Sequence, residues 1–229
     1  MDNALRLQYL EAMGIDVWLP RFSDQSTLDL ALKNDPVETE STLLMDNWTT
    51  LQAEITNCTQ CALCTSRSQS IAGAGDLHAN WMFVGNPPDQ QEDEQGLPFV
   101  ANSGLLFTEM LRAIGLKREE VFMTNIIKCK PTNDLDLYSE ALTRCKNYLH
   151  RQQQLINPKI IVALGDIAAQ TLLGTDKPFS ELRGKVGFFN NTPVVVAYHP
   201  AYLLKSLPEK NKAWMDLIYA VQTFNNTEG

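Results

Sequence analysis

The chain has 229 residues, 44% of them hydrophobic, and a formal net charge of −8 at pH 7. This size suits one α/β domain with appendages. No apolar run is long enough to span a bilayer and no secretion signal opens the chain, which predicts a cytoplasmic protein with no membrane partner. The negative charge predicts little or no direct DNA binding, because sequence-independent binding depends on Lys and Arg that neutralise phosphates.

Residues 1–22 carry the pattern of a short helix followed by further apolar side chains. Leu10 and Met13 lie at near-helical spacing, and Trp18 continues the apolar surface. Residues 23–45 are polar and acidic, which is typical of a flexible linker. A tethered peptide with aliphatic and aromatic anchors suits the groove of a partner protein. The alternative is that the peptide folds back on its own domain.

Residues 46–229 carry the regular pattern of an α/β domain. Short, nearly continuous apolar runs predict strands buried on both faces of a parallel sheet: "WMFVG", "VFMTNII", "KIIVALG" and "PVVVAYH". Amphipathic stretches between them predict helices: "SGLLFTEMLRAIG", with Ser103 as its cap, "LYSEALTRCKNYLHRQQQLIN" and "DIAAQTLLG". This alternation predicts a three-layer α/β/α sandwich with a mainly parallel central sheet.

Polar residues stand at the ends of three of the predicted strands. They include Asn86, Asn125 and His199, and because ligands of such sheets bind beyond the carboxyl ends of the strands, we expect them to line one crevice. Structural alternatives exist, since Asn125 could cap a turn and His199 could hold a loop by hydrogen bonds. The acidic run "DQQEDEQG" at residues 89–96 is interpreted as a solvated loop rather than a metal site.

Five cysteines are unevenly distributed along the chain. Cys58, Cys61 and Cys64 lie in "CTQCALC", whereas Cys129 and Cys145 follow far downstream. Disulfides are not expected in the cytoplasm. A C-x2-C pair together with the two downstream cysteines could attach the N-terminal turn to the sheet through one metal site. The spacing does not distinguish iron–sulfur from zinc, and buried, inert cysteines are the alternative.

From Cys58 to about Leu217 the sequence resembles the family 4 uracil-DNA glycosylases, the iron–sulfur branch of that superfamily. The matching motifs are "CTQCALCTSR", "GLPFVANSGLLFTEMLRAIGL", "TNIIKCKP", "INPKIIVALGDIAAQTLLG", "LRGKV" and "YHPAYLLK". The resemblance implies the glycosylase α/β fold. It also implies a 4Fe–4S cluster on Cys58, Cys61, Cys129 and Cys145, with Cys64 outside the ligand set.

The same resemblance implies roles for retained residues at the crevice. Phe99 corresponds to the residue that stacks on the flipped uracil, and Asn125 to the one that reads the edge of the base. His199 corresponds to the residue that steadies charge developing on the departing base. Glu92 is retained in the acidic run. The structural alternative for Phe99 is simple core packing.

The first turn of the crevice departs from the family pattern. The family reads Gly-Glu-Ala/Gly-Pro-Gly, whereas this chain reads "GNPPD" at residues 85–89, so that Asn86 replaces a carboxylate and Pro87 lacks an amide donor. Losing one preorganised donor typically costs about 100- to 1000-fold in rate. These changes predict a vestigial pocket without catalytic residues. Its members are Asn86, Glu92, Phe99, Asn125 and His199.

A second resemblance concerns the N-terminus. "RLQYLEAMGIDVWLPR" is similar to the N-terminal peptide of the psi subunit of bacterial DNA polymerase III, and "WMFVGNPP" with "LRAIGLKREEVFMTN" is similar to the body of short psi proteins. The predicted partner-binding residues are Arg6, Leu10, Met13, Gly14, Ile15 and Trp18. The resemblance implies that the peptide binds the clamp loader. It also implies that the folded domain binds the chi subunit, which contacts single-stranded-DNA-binding protein.

The two resemblances together favour a non-catalytic, psi-like subunit of the polymerase III holoenzyme on a glycosylase fold. The alternative is an active family 4 uracil-DNA glycosylase of base excision repair, which flips the base and hydrolyses its bond to the sugar. A third possibility is a redox-sensing or structural repair accessory whose cluster is its working part.

Overall fold

The computed structural model describes residues 47–132 and 135–227. The partner-binding peptide predicted for residues 1–22 and the linker predicted for residues 23–45 lie outside these ranges. The roles of these segments, and the domain boundaries that separate them, therefore stay predictions.

The described residues form a central sheet of six strands in the order β1-β3-β2-β4-β6-β5. The four inner strands are parallel, while β1 and β5 pair antiparallel at the edges. The strands are β1 (Ala74–Gly75), β2 (Trp81–Gly85), β3 (Val121–Asn125), β4 (Ile160–Leu164), β5 (Val186–Phe189) and β6 (Thr192–Ala197). The prediction of a mainly parallel sheet is confirmed, because β2, β3 and β4 are buried at every position.

Helices cover both faces of this sheet and give the predicted three layers. The helices are α1 (residues 47–56), α2 (Gln90–Gln95), α3 (Ala101–Ala113), α4 (Leu135–Ile156), α5 (Asp166–Leu173), α6 (Phe179–Leu182), α7 (Pro200–Lys205) and α8 (Lys210–Thr227). Residues of α4 and α5 pack against one face in a core that includes Met82, Val84 and Phe122. Residues of α3 and α8 pack against the other face in a second core that includes Phe83 and Val162. No helix in the described ranges is both long and apolar enough to cross a bilayer.

Two local predictions for the acidic run and the following helix are wrong. Residues 90–95 form helix α2, which begins at Asp89 with a capping box to Glu92, instead of a solvated loop. Helix α3 begins at Ala101 rather than after Ser103, whose hydroxyl donates to Val100 O at 3.0 Å from inside the helix. In both cases the side-chain hydrogen bonds that mark the helix start are local ones.

The end of strand β3 also differs from the prediction, and this changes the position of Cys129 relative to the strand. The apolar run "VFMTNII" suggests a strand that reaches almost to this cysteine, but β3 ends at Asn125, four residues earlier. Cys145 does lie on the following helix, α4, as the sequence predicts. Ile126 and Ile127 are buried without belonging to a strand, so apolar character alone overestimates its length.

A buried ion pair joins the segment after α6 to helix α8. Arg183 donates from Nε and Nη2 to the two carboxylate oxygens of Asp216, both at 2.8 Å, and Asp216 is 4% exposed. The guanidinium also lies over the Tyr198 ring, 4.6 Å from its centroid. Arg183 therefore connects α8 to Tyr198, the residue that precedes His199.

We expect Arg183→Met to lower the free energy of unfolding by about 3–5 kcal/mol, because it leaves the buried carboxylate of Asp216 without its partner. Chemical denaturation measures this loss. Arg112→Met is the control, since Arg112 pairs with Glu109 on the exposed surface, where such pairs contribute less than about 1 kcal/mol. Equal effects of the two substitutions would contradict the prediction.

Candidate active site

The polar residues that follow the inner strands meet at the carboxyl edge of the sheet. In the parallel register Gly85 of β2 lies opposite Asn125 of β3 and Leu164 of β4. The amide nitrogen of Asn125 donates to Asn86 O at 3.0 Å, and the rings of Phe99 and His199 lie 5.8 Å apart between centroids. The structure thus brings together five side chains that the sequence marks out: Asn86, Glu92, Phe99, Asn125 and His199.

Phe99 is the buried aromatic member of this group and belongs to the second core. Its ring is 1% exposed and stacks on Phe107, with centroids 4.5 Å apart and an interplanar angle of 21°. Gly85 permits the close approach, since a Cβ there would lie 2.7 Å from the Phe99 ring. Phe99 has φ 53°, which is unusual for a side-chain-bearing residue. Arg118 stabilises this turn by donating to Pro98 O at 2.9 Å and to Phe99 O at 2.7 Å.

Glu92 is the buried centre of the crevice's hydrogen-bond network. Its carboxylate accepts from the backbone N–H of Phe99 at 2.6 Å and of Asp89 at 3.0 Å, and from the side-chain amide of Asn125 at 3.4 Å. Burial raises the pKa of this carboxyl, while the bonds from Asp89 and Phe99 oppose the rise. The acidic run is therefore a positioning element for Phe99 and Asn125, because its key carboxylate points inward.

Asn125 is fully buried and has one unsatisfied atom. Its nitrogen donates to Asn86 O and lies near Glu92, which assigns the other end of the amide as oxygen. That Oδ1 is buried and accepts no hydrogen bond from any described residue. Because a buried acceptor without a donor is costly, the geometry suits a ligand that brings an N–H group.

Lys128 supports Asn125 from behind and was missed in the sequence analysis. It is 1% exposed and donates to Asn125 O at 2.9 Å, Thr124 Oγ1 at 2.6 Å and Gln152 Oε1 at 2.7 Å. Burial lowers the pKa of Lys128 to about 7. The signal in the sequence is a single lysine inside the apolar run "NIIKC", since a buried lysine must be surrounded by acceptors.

His199 faces the crevice as a neutral ring. The backbone N–H of Ala201 donates to its Nδ1 at 3.2 Å, so the proton of the neutral imidazole lies on Nε2. Removal of the ring from water lowers the pKa of His199 to about 4, although the carboxylates of Asp89 and Asp166 oppose this shift. Nε2 is therefore a hydrogen-bond donor at neutral pH.

A histidine whose pKa falls on folding makes stability depend on pH. We expect the free energy of unfolding to decrease as pH falls from about 6.5 to about 4, because the unfolded chain binds a proton at His199 that the folded chain excludes. Each pKa unit corresponds to about 1.4 kcal/mol. Denaturation across this range should show a smaller decrease for His199→Gln than for the unaltered chain. A ring that titrates near 6.5 in NMR spectra of the folded protein would contradict the prediction.

Asn86 connects the crevice to helix α5. Its Oδ1 accepts from the backbone N–H of Ala168 at 3.1 Å, and its Nδ2 donates to Asp166 Oδ1 at 3.3 Å. Asp166 was not identified in the sequence analysis, although it directly follows the predicted strand "KIIVALG". The structure thus places the exposed carboxylate of Asp166 beside Asn86, the position at which the resemblance implies a carboxylate.

Cys61, Cys129 and Cys145 pack in the core on the face of the sheet opposite Phe99. Burial raises the pKa of Cys61 and Cys129, and raises that of Cys145 to about 11. The charges of Cys61 and Cys58 contribute to the raised pKa of Cys129, and those of Cys129 and Cys61 contribute to that of Cys145. The sulfurs are therefore near neighbours. Cys64 is half-buried in the short 3-10 helix Ala62–Thr65.

The cysteine group is described by its donors and by the cation beside them. Among residues 47–132 and 135–227, no three His, Cys, Asp or Glu side chains are grouped to hold one metal ion. The donors of the cysteine group are all sulfur, and Arg67 donates to Cys129 Sγ at 2.9 Å. An all-thiol set with a guanidinium that can offset thiolate charge fits an iron–sulfur cluster by the chemistry of its donors.

Comparison with known proteins identifies relatives that match most of the chain. Residues 72–220 match the uracil DNA glycosylase superfamily. The chain is 39% identical to a type-4 uracil-DNA glycosylase of Archaeoglobus fulgidus over 70% of its own length and 84% of the relative's. It is 34% identical to that of Thermotoga maritima, over 76% and 93%, and 37% identical to that of Sulfurisphaera tokodaii, over 70% and 77%.

These relatives overturn the leading interpretation of the sequence. The prediction of a non-catalytic polymerase III psi-like subunit is wrong, because five curated relatives spanning most of the chain are uracil-DNA glycosylases. The predicted partners, the clamp loader and chi, and the predicted lack of DNA binding are wrong for the same reason. The N-terminal similarity covers about 16 residues, which is too short to outweigh matches of about 170.

The predicted fold agrees with all of these findings. One continuous region contains the motifs, the parallel sheet and the crevice at its carboxyl edge. The relatives match this same region. The chain therefore belongs to the uracil-DNA glycosylase superfamily, within its type-4 family.

Proposed function

We propose that this protein is an active type-4 uracil-DNA glycosylase, which hydrolyses the bond between uracil and deoxyribose in DNA. The observation that carries this proposal is the buried, unpartnered Oδ1 of Asn125 in a crevice that also presents Phe99 and His199. A flipped uracil would satisfy that atom with its N3–H group. Cytosine has no proton at N3, so the same atom would favour uracil.

Each side of the crevice contributes a different interaction to the bound base. Phe99 is the buried aromatic ring beneath the base, and its main chain is fixed because its N–H donates to Glu92 and its carbonyl oxygen accepts from Arg118. Lys128 and Glu92 hold Asn125 in place, which preorganises the acceptor for the base. Because these contacts exist in the folded chain before DNA binds, little reorganisation accompanies base recognition.

The chemistry is a displacement at the sugar carbon. A water oxygen forms a bond to C1′ while the bond from C1′ to N1 of uracil breaks, and the electron pair of that bond leaves with the base. The Nε2–H of His199 donates to a carbonyl oxygen of uracil as negative charge develops there. A neutral imidazole suits this role, since its pKa of about 4 keeps it in one form across the physiological range.

The proline-bearing turn does not disable this arrangement. The backbone N–H of Asp89 donates to Glu92 at 3.0 Å and therefore belongs to the internal network. The groups that face the base are side chains of Phe99, Asn125 and His199, which Pro87 leaves in place. We infer that side-chain contacts compensate for the main-chain donor that the turn lacks.

We further propose a 4Fe–4S cluster on Cys58, Cys61, Cys129 and Cys145. When bound, the cluster would supply folding energy by tying the segment after α1 to helix α4, and no step of base excision is assigned to it. Arg67 supports this assembly, because it donates to Cys129 Sγ and also to the carbonyl oxygens of Thr56 and Cys58. The cytoplasmic location stays a prediction from the sequence.

Uracil release from DNA tests the proposed function directly. The full chain is incubated with single-stranded and double-stranded oligonucleotides that carry one uracil, and free base is quantified by mass spectrometry. We expect repeated turnover, with one uracil released for each abasic site formed. The control oligonucleotide has thymine at the same position. Absence of release from both kinds of uracil substrate would refute the proposal.

A further inference from the structure

The proposed reaction requires a group that orients the attacking water and draws its proton away. A carboxylate suits this task, and three carboxylates border the crevice: Glu92, Asp89 and Asp166. The following inference rests on the proposed function, since it assigns one of these groups to that reaction. Their hydrogen bonds distinguish them.

Glu92 is committed to holding the site together. Its two oxygens accept from the backbone of Phe99 and Asp89, and the carboxylate is 2% exposed. Asp89 is committed to helix α2, because its Oδ1 caps the N–H groups of Gln91 and Glu92 at 2.9 Å each. Neither carboxylate is arranged primarily to meet a substrate.

Asp166 is held at the edge of the crevice by Asn86. Strands β2 and β4 are parallel neighbours, so the chain leaves both of them side by side and places Asn86 against residues 165–166. Gly165 has φ 101°, and a Cβ there would lie 2.5 Å from Asn86 Nδ2. The absence of a side chain at Gly165 is therefore what allows the amide to reach Asp166.

The hydrogen bonds at Asp166 leave one oxygen available. Asn86 Nδ2 and the backbone N–H of Ile167 both donate to Oδ1, at 3.3 and 2.9 Å. Oδ2 accepts no hydrogen bond within the described ranges, and the residue is exposed to solvent. The carboxylate is thus fixed in orientation through one oxygen while the other can bind water.

A second observation marks this region as a place for a ligand. Asn125, which is fully buried and bonded to Asn86 O, carries the unpartnered Oδ1 described above. The hydroxyl of Tyr138 is also buried without a hydrogen-bond partner in the described residues, and burial, with a smaller contribution from the charge of Asp166, raises its pKa to about 12. Each of these two buried atoms lacks, among the described residues, the hydrogen-bond partner that such atoms normally have, which is the observation that a ligand or a water would explain.

We propose that Asp166, oriented by Asn86, is the carboxylate that positions the attacking water for hydrolysis of the uracil–sugar bond. Water forms its new bond to C1′, its proton passes to Asp166 Oδ2, and the departing uracil retains the electron pair of the broken bond. The proton then returns to solvent or to the released base. Asp166, at the start of helix α5, thereby supplies the negative charge that the neutral Asn86 lacks.

The test compares rates of a single turnover for variants that are otherwise folded alike. Asp166→Asn keeps the shape of the side chain and its place beside Asn86, but removes the charge. We expect the rate of uracil release to fall by about 100-fold or more, with affinity for uracil-containing DNA changed by less than about threefold. Asp176→Asn is the matched control, because it removes an exposed carboxylate beyond the other end of α5.

An exchange variant separates positioning from a structural role. In Asn86→Asp/Asp166→Asn the carboxylate and the amide trade places across the same 3.3 Å contact. We expect this double variant to recover at least about tenfold over Asp166→Asn, because a carboxylate again faces the crevice. A purely structural role of Asp166 would give no loss in Asp166→Asn and therefore nothing to rescue, since the asparagine keeps an oxygen that can accept from the N–H of Ile167.

The outcomes distinguish this inference from the proposed function. If the unaltered protein releases no uracil, both fail. If it releases uracil and Asp166→Asn does so at a similar rate, the inference fails alone. The inference also fails if Asp89→Asn loses more activity than Asp166→Asn, or if the exchange variant gains nothing. Melting temperatures and DNA binding, measured for each variant, identify any substitution that acts through folding.

Discussion

Replacing Asn125 by alanine is expected to lower the rate of uracil release by about 100- to 1000-fold, the loss typical of one preorganised polar contact at a reacting centre. Two effects combine in this variant. The acceptor for the N3–H of uracil disappears, and Glu92 loses one of the donors that offset its burial. The rate is measured on single-stranded DNA under single-turnover conditions, where the cost of base flipping is smallest.

Asn80→Ala is the matched control for this prediction. Asn80 is an exposed asparagine just before β2, at the opposite edge of the sheet, and the hydrogen bonds it accepts from Lys159 and Ile160 go to its backbone oxygen. Its removal should leave uracil release within about twofold of the original rate, as for ordinary surface substitutions. Similar losses in both variants, or full activity of Asn125→Ala, would rule out Asn125 as the group that reads the base.

The second large effect is expected at Cys61. Cys61→Ala should give protein that is insoluble or lacks the brown colour of a cluster, because the proposed ligand set connects the segment after α1 with helix α4. Iron content, acid-labile sulfide and the visible absorption spectrum measure the loss independently of enzyme activity. The reason is thermodynamic: removing one of four ligands weakens metal binding that is also folding energy.

Cys64→Ala is the control, since Cys64 neighbours Cys61 in sequence but lies outside the proposed ligand set. This variant should keep its colour, its iron and its melting temperature. A stable, well-folded Cys61→Ala protein with full iron content would contradict the ligand assignment. Loss of the cluster in Cys64→Ala but not in Cys61→Ala would assign the ligand to the other sulfur.

The interpretation of the crevice depends on whether the main chain of the turn or the surrounding side chains contact the base. Pro87 and Asp89 do remove features of the family turn, and from the sequence this suggested a disabled pocket. In the folded chain the amide of Asp89 binds Glu92, while the bound base would meet Phe99 and Asn125. The relatives are uracil-DNA glycosylases, which favours a working pocket over a disabled one.

The sequence by itself determined the layers of the fold, the edge of the sheet where the site residues meet, and the family. Strands buried on both faces must be apolar at every position, so "WMFVG" and "KIIVALG" predict β2 and β4 from local composition. Parallel strands end at the same edge, which predicts that Asn125 and His199 converge. The motif order also identified the glycosylase family, because it depends only on residue identity and spacing.

Tertiary structure alone decided how the buried charges are used. An acidic run is solvated unless backbone amides meet it, and only folding brings the N–H groups of Phe99 and Ser68 to Glu92 and Asp93. The contact of Asn86 with Asp166 likewise joins residues 80 positions apart in the chain. Such contacts leave no periodic pattern in the sequence, because a hydrogen bond depends on where two distant segments meet rather than on the composition of either one.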